Sequence, residues 1–382
     1  MKQRSLLLVA GSQTIANSAS TAVPMSANWI ISFGDDTLWF VGSVAASYAF
    51  LLLYRLMGVP ALGLIIIWVM LFDGPHIFGT FTRTYLDREM RARHPRLLYG
   101  SLVLFVIGPS CALLPYILTS WTARRPFIAL ISGNSFVTFI FVASMWAYYH
   151  IAKQHYGFMM LYKKKNEDLL LADNRIDRWF LWASLMYPFV RYMLRVPEAR
   201  DMWPVSPTSW IAQPIEIGAL VVMVIMVAVF GVRTVINVKQ RRPLDLPKLL
   251  FLAAIIPMHW FVLMGSLPPS VMVPILTISH NIQYHRLIWF HNRNKYANDR
   301  LGRYGVASRI SRNVLTYYLV GVLFAAYRLP NAFYGDSDLL VGMLWGFSLV
   351  HYYLDGKIWH VRNNPELIDA LRLARVQVTL LA

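Results

Sequence analysis

Hydrophobic positions in this chain come in long runs separated by short polar stretches, with little of the alternation of a strand or the one-sided stripe of a soluble helix. A helix needs about 17 to 25 apolar residues to cross the hydrocarbon of a bilayer. Ten runs of about that length are read at residues 38–56, 60–78, 97–119, 127–149, 179–194, 210–233, 249–265, 271–290, 314–329 and 339–354. Breaks such as 265–270, which contains Pro268 and Pro269, join neighbours as antiparallel hairpins. The pattern predicts an all-α, polytopic transmembrane helix bundle of about ten spans, both termini cytoplasmic. Residues 38–356 form the bundle, 357–382 a cytoplasmic tail, and 1–37 an interfacial segment or an extra span. No internal repeat or separate soluble domain is read.

Composition strengthens this picture. The 382 residues are 57% hydrophobic and 14% charged, a balance foreign to soluble domains. A net charge of +17 could point to nucleic acid, but the basic residues fall in short blocks between apolar runs, so no nucleic acid is expected. Loops at 83–96, 153–178, 239–248, 286–312 and from 357 onward hold 26 of the 36 lysines and arginines; the alternate loops hold five. Cytoplasmic loops carry such an excess, which orients the chain in a plasma membrane, the bacterial inner membrane being expected. The block 286–312 could also meet anionic lipid headgroups or an acidic partner. Lys2 and Arg4 precede a short apolar stretch, but Gly11, Ser12, Gln13 and Thr14 interrupt it too soon for a signal peptide. The single cysteine, Cys111, excludes an intramolecular disulfide and a thiolate cluster. A metal would have to be held by histidine and carboxylate.

Eight of the ten histidines fall at or just beyond the cytoplasmic ends of inward-running segments: His76, His150, His155, His280, His285, His291, His351 and His360. In an antiparallel bundle such ends share one depth, so distant stretches converge. His351 and Asp355 are four apart and Asp73 and His76 three apart, each pair on one helix face. An acid inside a span is a functional candidate by default. His150/His155 and His280/His285 are five apart, about 140° around a helix, so each pair shares an ion only where the helix unwinds; otherwise its members serve different ions. The ligand candidates are therefore His76, His150, His155, His280, His285, His351, Asp73 and Asp355, enough for two ions, and imidazole plus carboxylate suits iron first. His94, His291 and His360 read as interfacial rings, His259 and Glu216 as interhelical hydrogen-bonding residues.

At the segments Asp73–His76, His150–His155, His280–His285 and His351–Asp355 the chain loosely resembles the membrane-bound histidine-box enzymes, the fatty-acid desaturases, hydroxylases and alkane monooxygenases. It also resembles, more distantly, the membrane carotene-cleaving dioxygenases. These resemblances imply a di-iron site facing the cytoplasm, dioxygen as co-substrate, a ferredoxin or reductase as electron donor, and a lipid-phase substrate that is desaturated, hydroxylated or cleaved. A haem-binding membrane cytochrome and a transporter or lipid-binding protein are the alternative expectations.

Overall fold

The computed structural model describes residues 23–118, 134–205, 207–299, 301–330, 337–361 and 364–373. Most of the N-terminal segment, the start of the run at 127–149 and the end of the tail lie outside the described residues. Every apolar run falls on a helix: α1 (Phe33–Arg55), α2 (Ala61–Arg83), α3 (Pro95–Ile117), α4 (Ser135–Lys165), α5 (Leu171–Arg195), α6 (Ser209–Lys239), α7 (Leu246–Met264), α8 (Pro269–Lys295), α9 (Val314–Arg328) and α10 (Asp338–Ile358). Two strands of two residues, β1 (Met25–Ser26) and β2 (Leu244–Asp245), pair in parallel beside the start of α7. The protein is thus helical, as its pattern requires.

Six of these helices, α1, α2, α3, α4, α6 and α7, are long and apolar enough to cross a membrane. This is fewer than the ten expected, and the reason differs by helix. α9 is short. α5 and α10 carry more polar and charged groups, and α8 bears His280, Asn281, Gln283, Tyr284 and His291 on a surface that is mostly buried. α8 packs against α1, α2, α4 and α7, so its polar groups face protein. Hydropathy measures affinity for lipid, and a helix surrounded by other helices is released from that demand.

α6 shows the opposite pattern. Of its residues only Glu216 and Met223 are buried, while Val221, Val222, Val224 and Ile225 stand exposed. Such a surface is stable only against lipid. Its anchor is Glu216, which accepts from Arg195 Nε at 2.7 Å and from Arg191, both on α5; Glu216 is thus interhelical glue, as its position in the run suggested.

Helices approach most closely where glycines face each other. α3 and α10 meet at Gly108 and Gly342, where a Cβ on Gly342 would lie 2.7 Å from the Gly108 carbonyl carbon. At the basic ends, Lys163 of α4 and Lys248 of α7 share Asp168 and Asp177, with Lys163–Asp168 at 2.8 Å and Lys248 at 2.7 and 3.0 Å from the two acids. The basic stretch 286–312 is partly neutralised internally, since Arg286, Lys295 and Arg303 pair with Asp35, Asp87 and Glu89.

Candidate metal centre

α2 is not a uniform helix. Between Ala61–Trp68 and Gly74–Arg83 it widens into a π turn at Val69–Asp73, a local feature often found beside functional sites. Gly74 follows, in close contact with Ala325 of α9, where a Cβ would collide. His76 lies just beyond this irregularity, and Arg83 ends the helix about 10 Å further on at about 1.5 Å per residue. Its buried ring stands 4.5 Å from that of His351 on α10 and 4.7 Å from that of His280 on α8. His150 on α4 closes the group, 4.7 Å from His351 and 5.2 Å from His280. The ligand nitrogens of His76, His150 and His351 all lie within 4.8 Å of one another.

These side chains suit a metal by their bonding as well as their spacing. His76 Nδ1, His150 Nε2, His280 Nδ1 and His351 Nε2 are buried and lack a hydrogen-bond partner among the described residues. Buried polar groups are normally satisfied, so four orphaned imidazole nitrogens facing one region need an explanation. A shared cation supplies it, because a neutral imidazole donates its lone pair to a metal as readily as to a proton.

One turn toward the basic ends stands a second layer. Each inward-running helix of the group carries a polar residue four positions after its histidine, on the same face: Thr80 after His76, Gln154 after His150, Tyr284 after His280 and Asp355 after His351. Thr80 Oγ1 donates to Asp355 Oδ1 at 2.5 Å and lies 2.7 Å from His351 Nδ1. Tyr284 donates to the same carboxylate oxygen at 2.7 Å, and Gln154 Nε2 donates to the His280 carbonyl at 2.9 Å. With the Thr80 proton committed to Asp355, His351 Nδ1–H donates to Thr80 and its Nε2 lone pair is left free. A carboxylate acting on a histidine through a hydroxyl is how protein surroundings fix a ligand's tautomer.

The expected ligands separate into three groups. His76, His150 and His351 come together with His280 beside them. His155 faces away from His150, because α4 continues without interruption to Lys165; its ring stands 5.0 Å from His259 on α7 and 6.2 Å from His280. Asp73, Asp355 and His285 do not join the triad. Asp73 pairs with Arg328 of α9 at 2.9 Å, Asp355 acts through Thr80, and His285 Nε2 lies 3.2 Å from the Phe72 carbonyl oxygen. The expectation that the histidines sit at helix ends is also corrected. The apolar run ends at Tyr149, but the helix does not, so His150 and His155 are mid-helix residues.

His291 is fully buried on α8 beside Trp359, not an interfacial ring. His259, read as an interhelical residue, is buried against His155. Thr80 and Tyr284 were missed, although the four-residue spacing after His76 and His280 would have found both.

A cavity of about 470 Å³ opens onto the triad. Apolar residues make most of its wall, including Trp68, Ile77, Tyr148, Phe189 and Met272, and the Asp73–Arg328 pair lies along one side. It extends toward Leu62, Met202 and Pro269, which belong to the ends of the bundle opposite the basic loops. Comparison with known protein families, curated proteins and solved structures finds no match.

Proposed function

We propose that the protein is a membrane-embedded, non-haem metal oxidoreductase whose first ion is held by His76, His150 and His351. The observation that carries this reading is the convergence of three buried imidazoles, with free nitrogens within 4.8 Å, at the closed end of an apolar cavity. Iron is the proposed ion; when bound, it supplies the redox chemistry with dioxygen that a hydrocarbon substrate demands. The chain's own residues would do the rest. Thr80 and Asp355 hold His351 in the ligating tautomer, and Tyr352, stacked on His150 at 4.6 Å, fixes that ring's plane. The cavity wall excludes water and aligns an apolar chain against the triad.

In this reading all ten helices cross the membrane, with the basic ends and both termini cytoplasmic. The lipid-phase substrate then reaches the triad from the opposite leaflet side, along the cavity, while a soluble electron donor would approach the basic face. Desaturation, hydroxylation and oxidative cleavage share these requirements. A haem is less well accommodated, since ring centroids 4.5 and 4.7 Å apart leave no slab between the histidines for a macrocycle.

The test is metal analysis of protein purified in mild detergent and reconstituted anaerobically with ferrous iron. Iron should bind tightly in the wild type and be lost from the triad in His76→Ala and His150→Ala, while His94→Ala retains it. Wild-type protein that takes up no metal would falsify the reading.

A further inference from the structure

The histidine cluster has a second end that the triad does not use. His155 and His259 are both fully buried, on facing helices, with rings 5.0 Å apart. Each Nδ1 lies 2.9 Å from the carbonyl oxygen one turn earlier, of Ile151 and Ile255. A carbonyl oxygen only accepts, so each Nδ1 carries its proton, and in a neutral imidazole Nε2 is then left as an acceptor. Both Nε2 atoms are buried without a hydrogen-bond partner among the described residues. Their neighbours include Phe251 and Tyr148, whose rings stand 6.0 Å from His155 and 6.2 Å from His259. Two lone pairs in such surroundings are unfavourable unless a cation, a proton or a water lies with them.

His280 links this pair to the triad. Its ring is 6.2 Å from His155, and its Nδ1 is also buried and unpartnered. We propose that His155, His259 and His280 form a second metal site, taking a divalent transition ion of the kind that imidazole binds, adjacent to the triad ion. The backbone carbonyls of Ile151 and Ile255 act here as Asp355 and Thr80 act on His351, fixing the tautomer that leaves Nε2 for the metal. This deepens the reading of the triad as a metal centre, and makes the site dinuclear through His259 rather than through His285, Asp73 or Asp355.

The experiment is metal stoichiometry by mass spectrometry after anaerobic loading with ferrous iron and gel filtration in detergent. Two ions per chain are expected in the wild type, one in His259→Ala and one in His351→Ala. A single wild-type ion, kept in His259→Ala and lost in His351→Ala, overturns the second site and leaves the triad standing. A single ion with the reverse dependence overturns the triad reading and supports the pair. No ion at all removes both. If His259→Ala elutes as aggregate, His259→Gln and the wild-type count decide between the same outcomes, since a wild-type count of one that His351→Ala loses already excludes the second site.

Discussion

Thr80 is the residue through which Asp355 reaches the metal centre, and that changes what a substitution at either position should do. A carboxylate four residues after a histidine looks like a ligand in sequence, but its oxygen receives the Thr80 and Tyr284 hydroxyls instead. Thr80→Val should therefore lower metal affinity by about 10- to 100-fold, the usual effect of losing a ligand's orienting partner, while Thr80→Ser should hold it near wild type. Isothermal titration with ferrous iron measures the difference; equal affinity in the two variants would remove Thr80 from the site. Asp73 should behave otherwise. It is bound to Arg328 and apart from the triad, so Asp73→Asn should keep its metal yet lose stability, on the order of 3–5 kcal/mol where a buried pair is broken on one side. Thermal melting and metal content on the same sample separate the two effects.

Along the helices, irregularities matter more than average propensity. The π turn at Val69–Asp73 and the glycine beside Ala325 set where His76 points, while Gly108 and Gly342 let α3 and α10 touch. Gly342→Leu should force the α3–α10 contact apart, lower the melting temperature, and reduce metal binding by shifting His351 on the same helix; a variant with wild-type melting and wild-type metal content would show that this contact is loose.

The start of α7 carries a pH dependence of its own. Asp245 lies just outside the span, where burial pushes its carboxyl up to about 6, partly countered by the Lys248 backbone N–H and the Lys248 and Lys163 ammonium groups. A folded value above the unfolded one means that the native state favours the protonated acid. Stability from this group is thus full below about pH 4, the ordinary carboxylate range, and is lost as pH rises through 6. Asp245→Asn keeps the acceptor that Asn166 and the Lys248 N–H use, so it should flatten melting temperature against pH across that window and gain most above it. Parallel melting curves for the two proteins would refute the assignment.

For the whole molecule, the basic blocks and the apolar cavity divide the two faces between them. If the basic ends are cytoplasmic, cysteines placed at Gly157 and Gly302 should be shielded from an impermeant maleimide in intact cells, and one at Ser266 should be labelled. The reverse pattern would invert the proposed orientation and with it the side from which a donor approaches. The cavity's extension toward Leu62, Met202 and Pro269 then places substrate access on the labelled side.

The helices themselves were legible because long apolar runs have few other stable conformations in lipid, where every backbone group must be bonded within the segment. The convergence of His76, His150, His280 and His351 was legible too, since residues at similar positions on inward-running helices share a depth. Tertiary packing alone decided the partners. Whether an acid four residues from a histidine ligates or supports depends on which neighbour's hydroxyl arrives first, and that neighbour, Thr80, lies 275 residues away from Asp355. Polarity also ends before a helix does: α4 continues past its apolar run because its polar continuation is solvated or paired, which put His155 beside His259 on another helix and not beside His150. Helix rotation and helix adjacency are properties of the assembled bundle, and they determine which of the ten histidines meet.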